Sequence, residues 1–217
     1  VQSQQCVQIV SEHHLHGHMA DWPLIVLPEC AHLDADFRNE LVAYVRNGGH
    51  LLAIGPLTHI ARALQAAPDI VEHIAELVLM GGSTERGNHT PAAEFNIYAD
   101  PEAAAIVFDT PRLKRRMFGL NLCRQVQLER RHVAQVQAWP GQRAAWLAGY
   151  LDAYQRIRSA DGHVPMPLYD PVVAAWLWQP ERFTFQSARV DVEVHGRFTR
   201  GMTVCDFRVS EARPANA

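Results

Sequence analysis

The chain has 217 residues, 48% hydrophobic and 20% charged, enough for one α/β domain with a sizeable core. Its formal net charge of −3 with histidine neutral gives no electrostatic reason to expect nucleic acid or an anionic membrane as partner. No apolar run approaches the roughly 20 residues that span a bilayer, and the polar stretch Val1 to Val10 lacks the charged-then-apolar order of a secretion signal.

Cys6, Cys30, Cys123 and Cys205 are scattered without metal or redox spacing, which points to reduced thiols in a cytoplasmic protein. Residues 1–22 are polar and rich in histidine. They are expected to form a flexible segment ahead of a single α/β domain over 23–217. His13, His14, His16 and His18 lack the spacing of a structural zinc site, so a solvated segment is the simpler reading. Cys30, in LPECAHL, lacks the flanking glycines of a nucleophile elbow and reads as a core thiol.

Pro23 to Leu27, PLIVL, is a short apolar, β-branched run and predicts a buried strand. Asp34 or Asp36 can cap a helix from Phe37 to Arg46, with Leu41, Val42 and Val45 on its apolar side and Asn47-Gly48-Gly49 as the stop. His50 to Ile54, HLLAI, is a second strand, so the segment reads as a parallel βαβ unit. Thr58 can cap a helix through Gln65, and residues 70–76 give a further short helix. Leu77 to Met80, LVLM, is a third strand ending in Gly81-Gly82. Asp100-Pro101 pairs an N-cap with an N1 proline before EAAAIVF. Residues 116–122 suggest a fourth strand, and helical sequence runs from about 129 to 158, broken at Trp139-Pro140-Gly141. Asp170-Pro171 repeats the cap-plus-proline device before VVAAWLW, and Val190 to Arg208 alternates like β structure with a turn at Gly196.

This order predicts an α/β fold, an open and mostly parallel sheet flanked by helices. In such sheets ligands bind beyond the carboxyl ends of the strands, where three segments gather. In GPLTHIA, Thr58 reads as a helix cap on spacing alone; its other reading is a backbone carbonyl facing a cation. Between Met80 and Asp100, the residues Asn88, Glu94 and Asn96 read either as a polar surface loop or as a clamp on sugar hydroxyls. Amide and carboxylate groups supply the donors and acceptors that vicinal hydroxyls require, and the loop is unusually long. In PLYDPVVAAWL, Asp170 reads as a helix cap or as a ligand to a hard cation, which takes six to eight oxygens.

Four segments together, LLAIGPLTHIARAL, LVLMGGSTERGNHTPAAEFNIYADPEAAAIVF, PLYDPVVAAWL and VEVHGRFTRGMTV, resemble the inosine-uridine-preferring nucleoside hydrolases from about residue 50 to about residue 208. The resemblance implies a nucleoside hydrolase-like fold, with its N-terminal part truncated or replaced. It implies hydrolysis of the N-glycosidic bond of a ribonucleoside to ribose and free base, by a calcium-bound water, in nucleoside salvage and catabolism. It implies that the Thr58 carbonyl and the Asp170 carboxylate are calcium ligands, that Asn88, Glu94 and Asn96 clamp the ribose, and that Met80 packs beside the sugar. Tyr169 stands where pyrimidine-tolerant members usually carry a histidine that acts as acid toward the leaving base. A phenol can hydrogen-bond the base but donates its proton less readily.

Two departures bear on that picture. His59 stands where asparagine usually follows GPLT. The family's opening motif, D-x-D-P-G-x-D-D, has no counterpart: Asp34 with Asp36, and Asp21 with Glu29, have the wrong spacing. Without that motif most of the calcium carboxylates and the water-activating base are lost, and calcium is expected to be held poorly. Residues from about 20 to 55, PLIVLPECAHLDADFRNELVAYVRNGGHLLAIG, resemble the glutamine-amidotransferase-like domain of some β-galactosidases. Three readings follow: a ribonucleoside hydrolase, an inactive ribose-binding remnant, and a structural assembly module. Self-association is compatible with each.

Overall fold

In the computed structural model, which describes residues 15–22, 24–27, 35–48, 50–159, 164–208, 210 and 214–217, short apolar runs build one parallel sheet. Its strands are β1 (Leu24–Leu27), β2 (His50–Ala53), β3 (Leu77–Met80) and β4 (Arg115–Phe118), in the spatial order β1-β2-β3-β4. Right-handed crossovers joining strands in that order put their helices on one face. The packing agrees: Ile25, Ala53, Leu77 and Leu79 share one core with Phe37, Leu41 and Val45 of α1 (Ala35–Arg46), Ile60 and Leu64 of α2 (Thr58–Ala66), and residues further along the chain. The alternate residues Leu52, Val78, Met80 and Phe118 form a second core with Val172 and Val173. Every residue of β3 is buried, which is why its sequence is a continuous apolar run rather than an alternating one.

After β3 the chain forms α3 (Phe95–Ala99), α4 (Pro101–Asp109) and, beyond β4, the short α5 (Leu120–Cys123). Ala104 and Val107 of α4 complete the first core. A two-stranded pair, β5 (Gln127–Leu128) with β6 (Met166–Pro167), brackets α6 (Arg130–Gln137) and α7 (Gln142–Arg158). The helix α8 (Asp170–Trp178) covers the second face, and a C-terminal hairpin, β7 (Arg189–Val192) with β8 (Thr203–Asp206), closes the chain. No helix among the described residues is long and apolar enough to cross a membrane.

Several sequence expectations shift by a turn. The short helix expected over 70–76 is a 3-10 helix that runs earlier, over Pro68–His73. The strand expected over 116–122 ends at Phe118, because Gly119 caps α5 there. Thr58 is not the cap of α2: Leu57 holds that position without a side-chain bond, and Thr58 is the first helical residue. Asp170 likewise is the first residue of α8 behind Tyr169. Asp100 does cap α4, its carboxylate accepting from the Ala103 N–H at 3.0 Å.

Cys6, His13, His14, Glu29, Cys30 and Asp34 lie outside the described residues. Leu15 and Met19 are buried in the first core, so packing begins ahead of residue 23. His16 lies 3.4 Å from Glu40 and His18 3.4 Å from Asp21. No group of three His, Cys, Asp or Glu side chains that could hold a metal occurs among the described residues.

If β3 is the centre of the fold, truncating Leu79, which is 0% exposed, removes contacts that the neighbours cannot replace. Leu79→Ala is expected to cost about 2–5 kcal/mol in urea unfolding. Val26→Ala, at a side chain 44% exposed, is expected to cost about 0.5 kcal/mol or less. Equal costs at the two positions would contradict this arrangement.

Candidate active site

The site begins where β3 ends. Gly82 takes φ +71°, and a Cβ there would lie 2.8 Å from Thr203 Cγ2. Glycine is therefore required both by the left-handed backbone and by the close approach of β8. Glu94 joins the N–H of this turn to those of the helix that follows it. Its carboxylate accepts from Gly82 N at 3.0 Å, Asn96 N at 2.9 Å and Ile97 N at 3.1 Å. Glu94 is thus the N-cap of α3 and a tether between that helix and β3.

Asn96, on the first turn of α3, donates from Nδ2 to the Met80 carbonyl at 3.0 Å, with the Met80 sulfur 3.6 Å away. Asn88 is exposed, and its Oδ1 accepts from Phe95 N at 3.0 Å. The loop between them is wound tightly instead of spread out. The Ala93 carbonyl accepts from Asn88, His89 and Thr90 N–H groups, and a Cβ on Gly87 would sit 2.1 Å from that carbonyl oxygen. Arg124 holds the loop from outside through the carbonyls of Arg86 and Gly87. Met80, Asn88, Glu94 and Asn96 therefore belong to one connected structure.

Asp170 approaches from α8. It is close enough to Glu94 to raise that carboxyl's pKa electrostatically, and both lie near the buried Cys123 thiol. Burial is the main cause of the raised Glu94 pKa; its three N–H donors oppose the shift and the negative charge of Asp170 adds to it. Burial alone raises Asp170. Burial, with the two carboxylates behind it, pushes the Cys123 thiol up to about 12, so it stays protonated and unreactive at neutral pH. Asp170 has no hydrogen bond or ion pair among the described residues, in contrast to Glu94. Tyr169, just before it, packs against the second core and is half-buried. The Thr58 hydroxyl donates to Asp100 at 2.6 Å.

A calcium ion takes six to eight oxygens. At the end of β3, Asp170 brings a carboxylate without a partner among the described residues, while the oxygens of Glu94 are already engaged by N–H groups. Even with the Thr58 carbonyl added, this set does not make a calcium site by itself. The apolar cavity of about 530 Å³ lined by Leu41, Leu52, Ile60, Val78 and Trp176 has none of Met80, Glu94, Asn96 or Asp170 on its wall, so it is separate from this cluster.

The family model for inosine-uridine preferring nucleoside hydrolases matches residues 11–217. This chain belongs to that family. The match takes in the first strand–helix–strand unit as well as the later segments. The pyrimidine-specific ribonucleoside hydrolase RihA of Salmonella newport (strain SL254) is 35% identical over 209 residues, covering 94% of this chain and 67% of the relative. That of Enterobacter sp. (strain 638) is 42% identical over 159 residues, covering 72% and 50%. A solved purine-preferring ribonucleoside hydrolase from Gardnerella vaginalis superposes with a TM-score of 0.70 at 27% identity, covering 99% of this chain and 70% of that one. The chain thus spans about half to two thirds of the length of the curated relatives it matches.

The residues that hold the site together in this chain are not evident from local sequence. Thr203, 4% exposed, both donates to the Ser83 carbonyl at 2.7 Å and accepts from the Ser83 N–H at 2.8 Å. It lies 120 residues away in sequence, and its only local signal is alternation in a strand. Asp100 was legible as a cap, but the task of its second oxygen was not.

The raised carboxyls have a consequence for stability. Each binds its proton more tightly folded than unfolded, so stability falls as pH rises from the ordinary values, 3.8 for Asp170 and 4.5 for Glu94, through the raised folded ones. Above them the cost is present in full. Asp170→Asn removes it at a group with no partner to lose among the described residues. This variant is expected to have a higher urea midpoint than the native chain at pH 7, with the advantage shrinking as pH falls toward 3.8. A lower midpoint at pH 7 would reveal a stabilising partner for the carboxylate.

Proposed function

We propose that this chain acts in the hydrolysis of the N-glycosidic bond of ribonucleosides, giving ribose and free base. The observation that carries the reading is the pairing of two unlike carboxylates at the end of β3. Glu94, saturated by N–H groups, fixes Asn96 and Met80 as a wall. Asp170, beside it, has no partner among the described residues. A ribose against this wall would find the amides of Asn88 and Asn96 for its hydroxyls and the side chain of Met80 for its apolar face.

In the reaction, water adds to the anomeric carbon, the carbon–nitrogen bond breaks, and the base leaves with a proton. The transition state carries oxocarbenium-like positive charge, which an unpaired, half-buried carboxylate such as Asp170 stabilises more strongly than one already neutralised. The phenol of Tyr169, next to Asp170 in sequence, would hydrogen-bond the departing base. Relatives named as pyrimidine-specific and as purine-preferring support ribonucleosides as the substrate class. Calcium, which the family resemblance implies through Thr58 and Asp170, would need carboxylates beyond those described. A second reading, ribose binding without turnover, is favoured by that shortage. A cytoplasmic location fits the scattered thiols.

The test is direct. Uridine and inosine are expected to bind the purified chain by calorimetry, and Asn96→Ala to weaken binding about tenfold, the effect of one lost polar contact, with circular dichroism unchanged. Calcium alone is expected to bind no tighter than about 10⁻³ M. Release of ribose from either nucleoside selects the hydrolase over the binding remnant. A folded chain that neither binds nor cleaves uridine or inosine would remove both readings.

A further inference from the structure

Asp100 stands at a junction. It is the C-cap of α3, which carries Asn96, and the N-cap of α4, which packs into the first core. Its two carboxylate oxygens do different work. Oδ1 accepts from Ala103 N at 3.0 Å and starts α4. Oδ2 accepts from the Thr58 hydroxyl at 2.6 Å, across 42 residues of sequence. Thr58 is the first residue of α2, immediately after the Gly-Pro turn that leaves β2. One short, charge-assisted hydrogen bond therefore joins the turn beyond β2 to the elbow beyond β3.

Apart from this bond the two loops are related through the β2–β3 pairing and through the bodies of α2 and α4, which pack side by side. Apolar packing tolerates small slides; a hydrogen bond to a fixed carboxylate does not. A capping role alone needs only one oxygen, and Ser or Asn meets it as well as Asp. The second oxygen is spent on Thr58, whose hydroxyl is in turn unused as a cap for its own helix.

We propose that Asp100 is a positioning residue, which through Thr58 holds the turn beyond β2 in register with the ribose wall of Glu94 and Asn96. This inference rests on the ribose-binding reading of that wall. Thr58→Val keeps the shape and removes the donor, and Asp100→Ser keeps a capping oxygen and removes the second acceptor.

The experiment measures uridine and inosine affinity by calorimetry alongside amide hydrogen exchange at residues 94–99, on the full chain. Each single variant is expected to bind about tenfold more weakly than the native chain and to exchange faster at the amides of Asn96 and Ile97. The double variant is expected to add no further loss, since both changes break one bond. Thr58→Ser, which restores the hydroxyl, is expected to recover the affinity that Thr58→Val loses. Native binding that Thr58→Val leaves unchanged overturns the role of Asp100 alone. Additive losses in the double variant overturn it too, by showing that the residues act separately. Absence of nucleoside binding by the native chain overturns the ribose reading and, with it, this role.

Discussion

A carboxylate buried at the end of a strand must find donors or lose its charge, and Glu94 finds three backbone N–H groups. Those donors come from both sides of the loop after β3: Gly82 from the strand end, Asn96 and Ile97 from the helix that returns. The carboxylate therefore closes the loop on itself. Charge-assisted bonds of this kind are roughly twice as strong as neutral ones, and removing the carboxylate would leave its three donors without their acceptor. Gly81 answers to the same constraint. A Cβ on Gly81 would lie 3.4 Å from Glu94 Oε2 and 3.3 Å from Ile97 Cδ1, so a larger residue would press on the carboxylate and its helix.

The C-terminal hairpin acts as an outer strap on this arrangement. Thr203 matches both backbone groups of Ser83, one residue beyond the turn. Gly201 takes φ +81° and lies against Tyr98, where a Cβ would be 2.9 Å from its Cα. Arg200 forms a two-bonded pair with Glu102 on α4. The pair is largely exposed and adds little stability by itself, but its forked geometry joins the hairpin to α4 by two bonds. In the segment VEVHGRFTRGMTV, Arg200, Gly201 and Thr203 thus serve the fit of the hairpin around α4 and the loop after β3.

How much of this the sequence disclosed depends on the range of the interaction. Apolar runs such as LVLM and the cap-plus-proline pair Asp100-Pro101 act locally, and they were legible. Asn96 and Glu94 were legible as polar groups at the rim, but their mutual placement depends on α3, a helix of five residues that is too short to show a periodic pattern. Thr58 was read as a cap because its immediate neighbours suggest one. Its hydroxyl instead goes to a carboxylate 42 residues on, and no local rule anticipates that. Thr203 and Ser83 are the extreme case, since the strand that supplies the threonine pairs in a separate sheet.

The two carboxylates of the site show how burial and bonding divide labour between like groups. Glu94 is the more enclosed, 3% exposed, yet each of its oxygens receives N–H donors, so its charge is fixed in place and unavailable. Asp170 is only half-buried, but it has no donor among the described residues, and its field reaches Glu94 and Cys123. An anion that is already satisfied cannot gain much from a cation; an unsatisfied one can. Positive charge arriving at the end of β3, from an ion or from a reacting sugar, would therefore be drawn to Asp170 and steadied against a wall that Glu94 keeps rigid. That asymmetry is what a glycosidic site requires, and it arises because one acid caps a helix from outside while the other begins one.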